Sequence, residues 1–221
     1  MITYLLTIMK ISPLRFKTSL IWLFALLLIE PGMAAEEDKP RVVRSLLEMR
    51  HDHVIVQKWD ISCGAAALTT LLNYQHGEHL TEKEVARGLF KRDEYLKDPS
   101  LVQSHQGFTL LDLKRYADLK GYQGVALGKL ELKDILERAP IMLALNMHGY
   151  NHFVVFRGIK GDRVLLADPA WGNRTMKLHR FEDVWIEFPK MGRVGFQILR
   201  KDGITPVNEL TPHDEDFVSI H

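Results

Sequence analysis

The apolar positions change character partway along the chain. Ser62–Tyr74 (SCGAAALTTLLNY) is apolar and alanine-rich with no proline, which predicts a buried helix. Thr81-Glu82-Lys83-Glu84 is a capping-box pattern and opens a short helix through Phe90. Thr109-Leu110-Leu111-Asp112 opens another, with Leu110, Leu113, Tyr116 and Ala117 on one face and Gly121 as its terminator. A shorter helix is predicted over Leu130–Arg138. Beyond it, Pro140–Met147, His152–Ile159, Arg163–Ala167 and Val194–Arg200 are short, apolar and turn-bounded, as strands are, and Lys160-Gly161-Asp162 reads as a tight hairpin connection. Val42–Val56 mixes apolar and charged residues and is expected to contain a strand. Lys91–Gln106 is polar, holds Pro99 and reads as a loop that flanks a cleft. There is no internal repeat. Helices first and an antiparallel sheet afterwards describe a single α+β domain over residues 36–200, followed by a polar, flexible tail at 201–221.

The first 35 residues have a different pattern. Lys10, Arg15 and Lys17 precede an apolar run from Leu20 to Ile29. Gly32-Met33-Ala34-Ala35 then supplies small residues ahead of the polar Glu36-Glu37-Asp38-Lys39-Pro40. A basic stretch, a short apolar run and a small-residue site describe a secretory signal peptide at 1–35. The run is shorter than the ~20 residues of a membrane span, although it would also serve as an uncleaved anchor. Either way an exported, periplasmic-type protein is expected, touching the membrane only through this segment.

Composition narrows the function classes. With 46% hydrophobic and 26% charged residues in 221, the chain is neither disordered nor a polytopic membrane protein. Its formal charge of +1 gives no basic excess for nucleic acid. The single cysteine, Cys63, excludes an intrachain disulfide and a tetracysteine zinc site. In an exported chain an unpaired cysteine is a buried passenger or a thiol kept for its reactivity.

Cys63 stands at the predicted helix start, with Asp60 and Ser62 available as caps. A helix N-terminus stabilises a thiolate and lowers the thiol pKa from ~8.5. Gly64 leaves room for a close approach to the sulfur. His152 opens one predicted strand and Asp168 ends the next, so an imidazole and an orienting carboxylate can meet across one hairpin. Gln57, in the loop before the helix, can donate its amide to an oxyanion. The order Gln, Cys, His, Asp is the papain-type sequence of oxyanion donor, nucleophile, base and orienter. Each residue also has an ordinary reading: a small core residue for Cys63, a hydrogen-bonded strand histidine for His152, a turn opener for Asp168-Pro169 and a surface amide for Gln57. Trp171 lines the cleft, shields the aspartate or simply packs. His51-Asp52-His53 and the His148/His152 pair are the closest metal-like clusters, and neither has the spacing of a His-Glu-x-x-His helix. No metal and no cofactor are expected.

Gln57-Lys58-Trp59-Asp60-Ile61-Ser62-Cys63-Gly64-Ala65-Ala66-Ala67-Leu68 resembles the Q-x5-C-G-x-A-x-L signature of the bacteriocin-processing, double-glycine cysteine peptidases. His152-Phe153-Val154-Val155 and Leu166-Ala167-Asp168-Pro169-Ala170 are similar to that family's histidine and aspartate block. Gly107-Phe108-Thr109-Leu110 through Gly121 resembles the helix between them. The resemblance spans roughly residues 50–200. It implies a papain-like fold in which Gln57, Cys63, His152 and Asp168 hold the four family roles. Familiar members are domains of ATP-driven exporters. This chain has no Walker motif and is similar instead to the stand-alone exported members that accompany functional-amyloid secretion. The expected function is an exported cysteine endopeptidase cutting a peptide or leader of a secreted protein after small residues such as glycine. The expected partners are that substrate and a secretion apparatus. The rival is a peptide-binding accessory of a secretion system that grips exported chains without cutting them. Cell-wall peptidases and transglutaminase-like enzymes use other cysteine contexts, which Ser62-Cys63-Gly64-Ala65 does not match.

Overall fold

A computed structural model describes residues 44–147 and 149–217. The expected signal segment at 1–35 and His148 of the expected histidine pair lie outside the described residues.

The first element corrects the strand expected within Val42–Val56. The Ser45 hydroxyl accepts the Glu48 N–H at 3.2 Å and the Glu48 carboxylate accepts the Ser45 N–H at 2.6 Å, a capping box that opens helix α1 (Leu46–His51). The alanine-rich segment forms α2 (Cys63–Thr70), which runs on into one π-helical turn at Leu71–Gln75. Every residue of α2 is buried, because small side chains let neighbouring elements close on it from all sides. The capping box at Thr81 opens α3 (Glu82–Phe90) as its sequence predicts.

Residues 91–106 are not the plain loop expected of them. They form two short helices, α4 (Asp93–Lys97) and α5 (Ser100–Ser104), each pinned by one buried side chain, Tyr95 and Val102 respectively. A single anchor per turn leaves no periodicity to read. Helix α6 (Leu110–Leu119) starts at Thr109 and ends ahead of Gly121, whose φ of +90° suits a glycine terminator.

The sheet elements follow as β1 (Gln123–Leu127), helix α7 (Leu132–Glu137), β2 (Ile141–Met147), β3 (Tyr150–Lys160), β4 (Arg163–Asp168), β5 (Gly172–Lys177), helix α8 (Leu178–Val184), the small hairpin β6 (Glu187–Phe188) and β7 (Gly192–Arg193), and β8 (Gly195–Leu199). The main sheet has the order β1-β8-β2-β3-β4-β5, antiparallel throughout. Its edge strands β1 and β5 have no counterpart in the sequence pattern. Only Gly124 of β1, and Gly172 and Met176 of β5, are buried, so neither strand shows a clear apolar face.

The central strands are apolar on both faces because both faces are covered. Val155, Ala167 and Phe196 join the core beneath α2, α3 and α6. Val154, Phe156, Val164 and Leu166 join a second core that contains Ile135 of α7 and Phe181 of α8.

The segment after β8, expected as a flexible tail, is fastened down as far as residue 217. The N–H groups of Asn208 and Glu209 donate to Gln75 and Tyr74 carbonyls at 3.1 and 2.7 Å, and Leu210 is fully buried. Buried Arg157 donates to the Leu210 carbonyl at 2.9 Å and pairs with Asp216 at 3.1 Å. One leucine among polar neighbours carries the attachment, and the sequence pattern gives it no weight. Leu210→Ala is expected to cost about 2–4 kcal/mol, read as a shifted urea midpoint. A cost near zero would show that Leu210 does not hold this segment to the domain.

Candidate active site

Cys63 is the first residue of α2 and is almost fully buried. The first N–H groups of a helix have no intrahelical acceptor, so this end of α2 presents donors beside the sulfur. Gly64 also has a packing role. A Cβ there would stand 3.3 Å from the Phe153 ring, so the missing side chain lets α2 lie close against β3. Phe153 follows His152 on β3.

His152 and Asp168 meet as the hairpin predicts. Strands β3 and β4 pair antiparallel, and His152 Nε2 lies 2.7 Å from Asp168 Oδ1 with both residues buried. The Ala170 N–H also donates to Asp168 Oδ1 at 2.8 Å, and Arg174 on β5 approaches Oδ2 at 3.4 Å. With Nε2 taken by the carboxylate, Nδ1 is the ring atom left for the thiol. Burial disfavours a charged imidazole. Hydrogen bonds to Asp168 and Cys63, and the charges of both, outweigh it and raise the His152 pKa to about 9. The ring is therefore held as imidazolium at neutral pH.

Gln57 begins the loop that leads into α2. Its backbone N–H donates to the Pro169 carbonyl at 2.8 Å, tying this loop to the turn after Asp168. Its side-chain amide Nε2 donates to the Trp59 carbonyl at 2.9 Å and lies 3.4 Å from the Asp60 carbonyl. The amide thus lies within the loop, with one N–H well engaged. Trp171 is 64% exposed, so it does not pack in the core, and it is not among the residues lining the cleft beside His152. Among the described residues no three His, Cys, Asp or Glu side chains converge as a metal site requires. Asp52 pairs instead with Arg44 and His53.

Three residues at the site escape a reading by pattern. The Tyr150 hydroxyl donates to the Asp60 carbonyl at 2.8 Å and braces the loop before Cys63. Burial and the nearby charges of Cys63 and Asp60 raise its pKa. Arg174 sits on a polar edge strand. Glu82 looks like an ordinary acidic residue in a helix's first turn, yet it is buried. Only the position of Tyr150, two residues before His152, signals proximity in the sequence.

Beside His152 opens a cleft of about 560 Å³. Phe108, Leu127, Ala144, Phe153, Met191 and Val194 line it, together with Asn151. Its walls are mainly apolar, as a groove for hydrophobic side chains of a bound chain would be.

A helical layer on an antiparallel sheet, with a cysteine at a helix start facing a strand histidine, is the papain-like peptidase architecture. Residues 51–188 match the peptidase C39 family, and the chain belongs to it. Two relatives, each described as a probable functional amyloid protease FapD, come from Pseudomonas aeruginosa and Pseudomonas fluorescens. They are 35% and 34% identical over 145 residues, 65% of this chain. The match spans 61% of the length of each relative. Among solved structures, a double glycine motif protease from an AMS/PCAT transporter, in complex with the leader peptide, superposes with a TM-score of 0.52. It is 21% identical and the match covers 67% of this chain and 91% of that one. The peptidase domain of Streptococcus ComA gives 0.50 at 14% identity, covering 67% and 98%. At these identities the likeness is one of fold.

Proposed function

We propose that this chain is an exported cysteine endopeptidase that cuts a peptide or leader of a secreted protein. The observation that carries the reading is the buried His152–Asp168 pair at 2.7 Å, with Cys63 at the start of α2 near enough to help raise the His152 pKa. The Cys63 thiolate attacks the scissile carbonyl carbon. The Cys63 N–H donates to the oxyanion, and the Gln57 amide joins it by giving up its longer contact to the Asp60 carbonyl. His152 Nδ1 gives its proton to the leaving amine as the C–N bond breaks. A water, deprotonated by the same nitrogen, then opens the thioester and restores the thiolate. Asp168 keeps Nε2 protonated and the ring in place.

The substrate is a polypeptide with small residues, glycine above all, before the cut and apolar side chains that fill the cleft. The relatives' description as functional amyloid proteases points to a protein exported for amyloid assembly, and to work beside a secretion apparatus. The signal-like pattern of residues 1–35 supports export. No helix among the described residues is long and apolar enough to cross a membrane. The test compares N-termini of exported proteins in cells carrying the wild-type protein or Cys63→Ala. A new peptide end lost only in the variant names the substrate and its cut. Identical profiles with the cellular role retained favour the non-cleaving, peptide-gripping accessory.

A further inference from the structure

Glu82 is the first residue of α3, where an acidic side chain is favoured by the helix dipole and usually faces water, as neighbouring Lys83 and Glu84 do. Glu82 is only 4% exposed. Among the described residues no cation pairs with it, so the cost of burying a carboxylate is met by hydrogen bonds from one loop. The Lys58 N–H lies 3.2 and 3.1 Å from its two oxygens, and the Ser62 hydroxyl lies 2.5 Å from Oε1. Those two residues lie between Gln57 and Cys63.

The Ser62 contact has a consequence for α2. Serine is among the preferred N-cap residues, and its hydroxyl normally accepts a first-turn N–H. Ser62 occupies the N-cap position of α2 and makes no such bond. Its hydroxyl is turned instead to Glu82 and to the Trp59 carbonyl, at 2.5 and 2.7 Å, and its backbone has φ −99° and ψ 9° rather than the extended conformation usual for a cap. The helix that carries the cysteine therefore begins with its natural cap withdrawn.

Resting on the reading of Cys63 as nucleophile, we propose that Glu82 is a positioning residue that draws the Ser62 hydroxyl off the start of α2 and so leaves the first-turn N–H groups to the Cys63 thiolate and the oxyanion. The same carboxylate fixes the Lys58 backbone and with it the Gln57 loop. Glu82 touches neither substrate nor thiol in this arrangement and acts through Ser62 and Lys58.

Cys63 is the only cysteine in the chain, so alkylation by iodoacetamide reports that thiol alone. In Glu82→Ala the Ser62 hydroxyl keeps only the Trp59 carbonyl as acceptor, to which it can donate while its oxygen turns to accept a first-turn N–H and competes with the thiolate. The thiol pKa read from the pH dependence of alkylation is then expected to rise by about one unit, the scale of one capping bond. The kcat on a cleaved peptide is expected to fall about tenfold with KM within twofold. Adding Ser62→Ala removes the competing hydroxyl and is expected to bring the thiol pKa back towards the wild-type value. A merely structural role for Glu82 predicts no such rescue. A through-space charge effect predicts the opposite sign, because deleting a nearby negative charge stabilises a thiolate. His152 and Tyr150, the titratable groups that face the thiol, are the same in every variant. Should Glu82→Ala not fold, Glu82→Gln keeps the shape and one acceptor and is expected to shift the pKa in the same direction by a smaller amount. A thiol pKa that stays or falls, or a rise that Ser62→Ala does not reverse, overturns the proposal. If the wild-type protein cuts no peptide yet the alkylation pattern holds, the cleavage reading fails and the Glu82 assignment stands.

Discussion

Cys63→Ser is expected to lower peptide cleavage by at least about a thousandfold while leaving the fold and peptide binding intact. The hydroxyl replaces the sulfur without a change of shape at a position that is 2% exposed, so packing around α2 is preserved. A serine hydroxyl, unlike a thiol, is not ionised beside an imidazolium, and the proposed attack depends on a thiolate. The apolar cleft of about 560 Å³ is formed by residues outside this change, so the variant is expected to hold an uncut substrate and serve as a trap. Single-turnover cleavage of the peptide found by N-terminal comparison measures the rate, and circular dichroism and thermal unfolding verify the fold. Cleavage within tenfold of wild type would remove Cys63 from the chemistry and turn attention to the cleft as a binding site only.

Much of this arrangement is legible in the sequence because local signals specify it. Thr81 and Thr109 announce α3 and α6 through capping boxes, and the alanine run announces a helix buried on all sides. His152 and Asp168 come together because consecutive antiparallel strands place the start of one beside the end of the next. What escapes is set by tertiary contact. Strands β1 and β5 are edges whose few buried positions give no alternation. Helices α4 and α5 exist because Tyr95 and Val102 each find a buried place. The attachment of the tail rests on Leu210 and on Arg157, a charged residue inside an otherwise apolar strand. Glu82 is the sharpest case at the site. Its sequence context, a capping box at a helix start, accounts for an exposed acidic residue, and only the approach of the Lys58–Ser62 loop shows why it is buried.

Asp168→Asn is the second change with a large expected effect, because it alters charge at the site with little change of shape. The substituted amide can still meet His152 Nε2, but it offers a donor as readily as an acceptor and carries no charge to balance an imidazolium. The favoured ring tautomer and the ion pair are both weakened. A loss in kcat of about a hundredfold to ten-thousandfold is expected, on the scale of a triad carboxylate replaced by its amide. The pH profile tells this apart from simple misplacement. In the wild-type protein His152 is raised to about 9 by Asp168 and Cys63 against the opposing effect of burial. Activity that needs the imidazolium therefore falls on the alkaline side near pH 9. Removing the charge of Asp168 lowers the His152 pKa, so the alkaline limb moves to lower pH. Stability carries the same sign. A histidine raised above its unfolded value near 6.5 stabilises the fold fully below that pH and loses this contribution as pH rises through about 9. Between those limits the wild-type protein is expected to lose stability, and Asp168→Asn to show a flatter dependence. Denaturant unfolding at several pH values measures the one and kcat/KM against pH the other. An alkaline limb that stays near pH 9 in the variant would show that Asp168 does not set the charge state of His152.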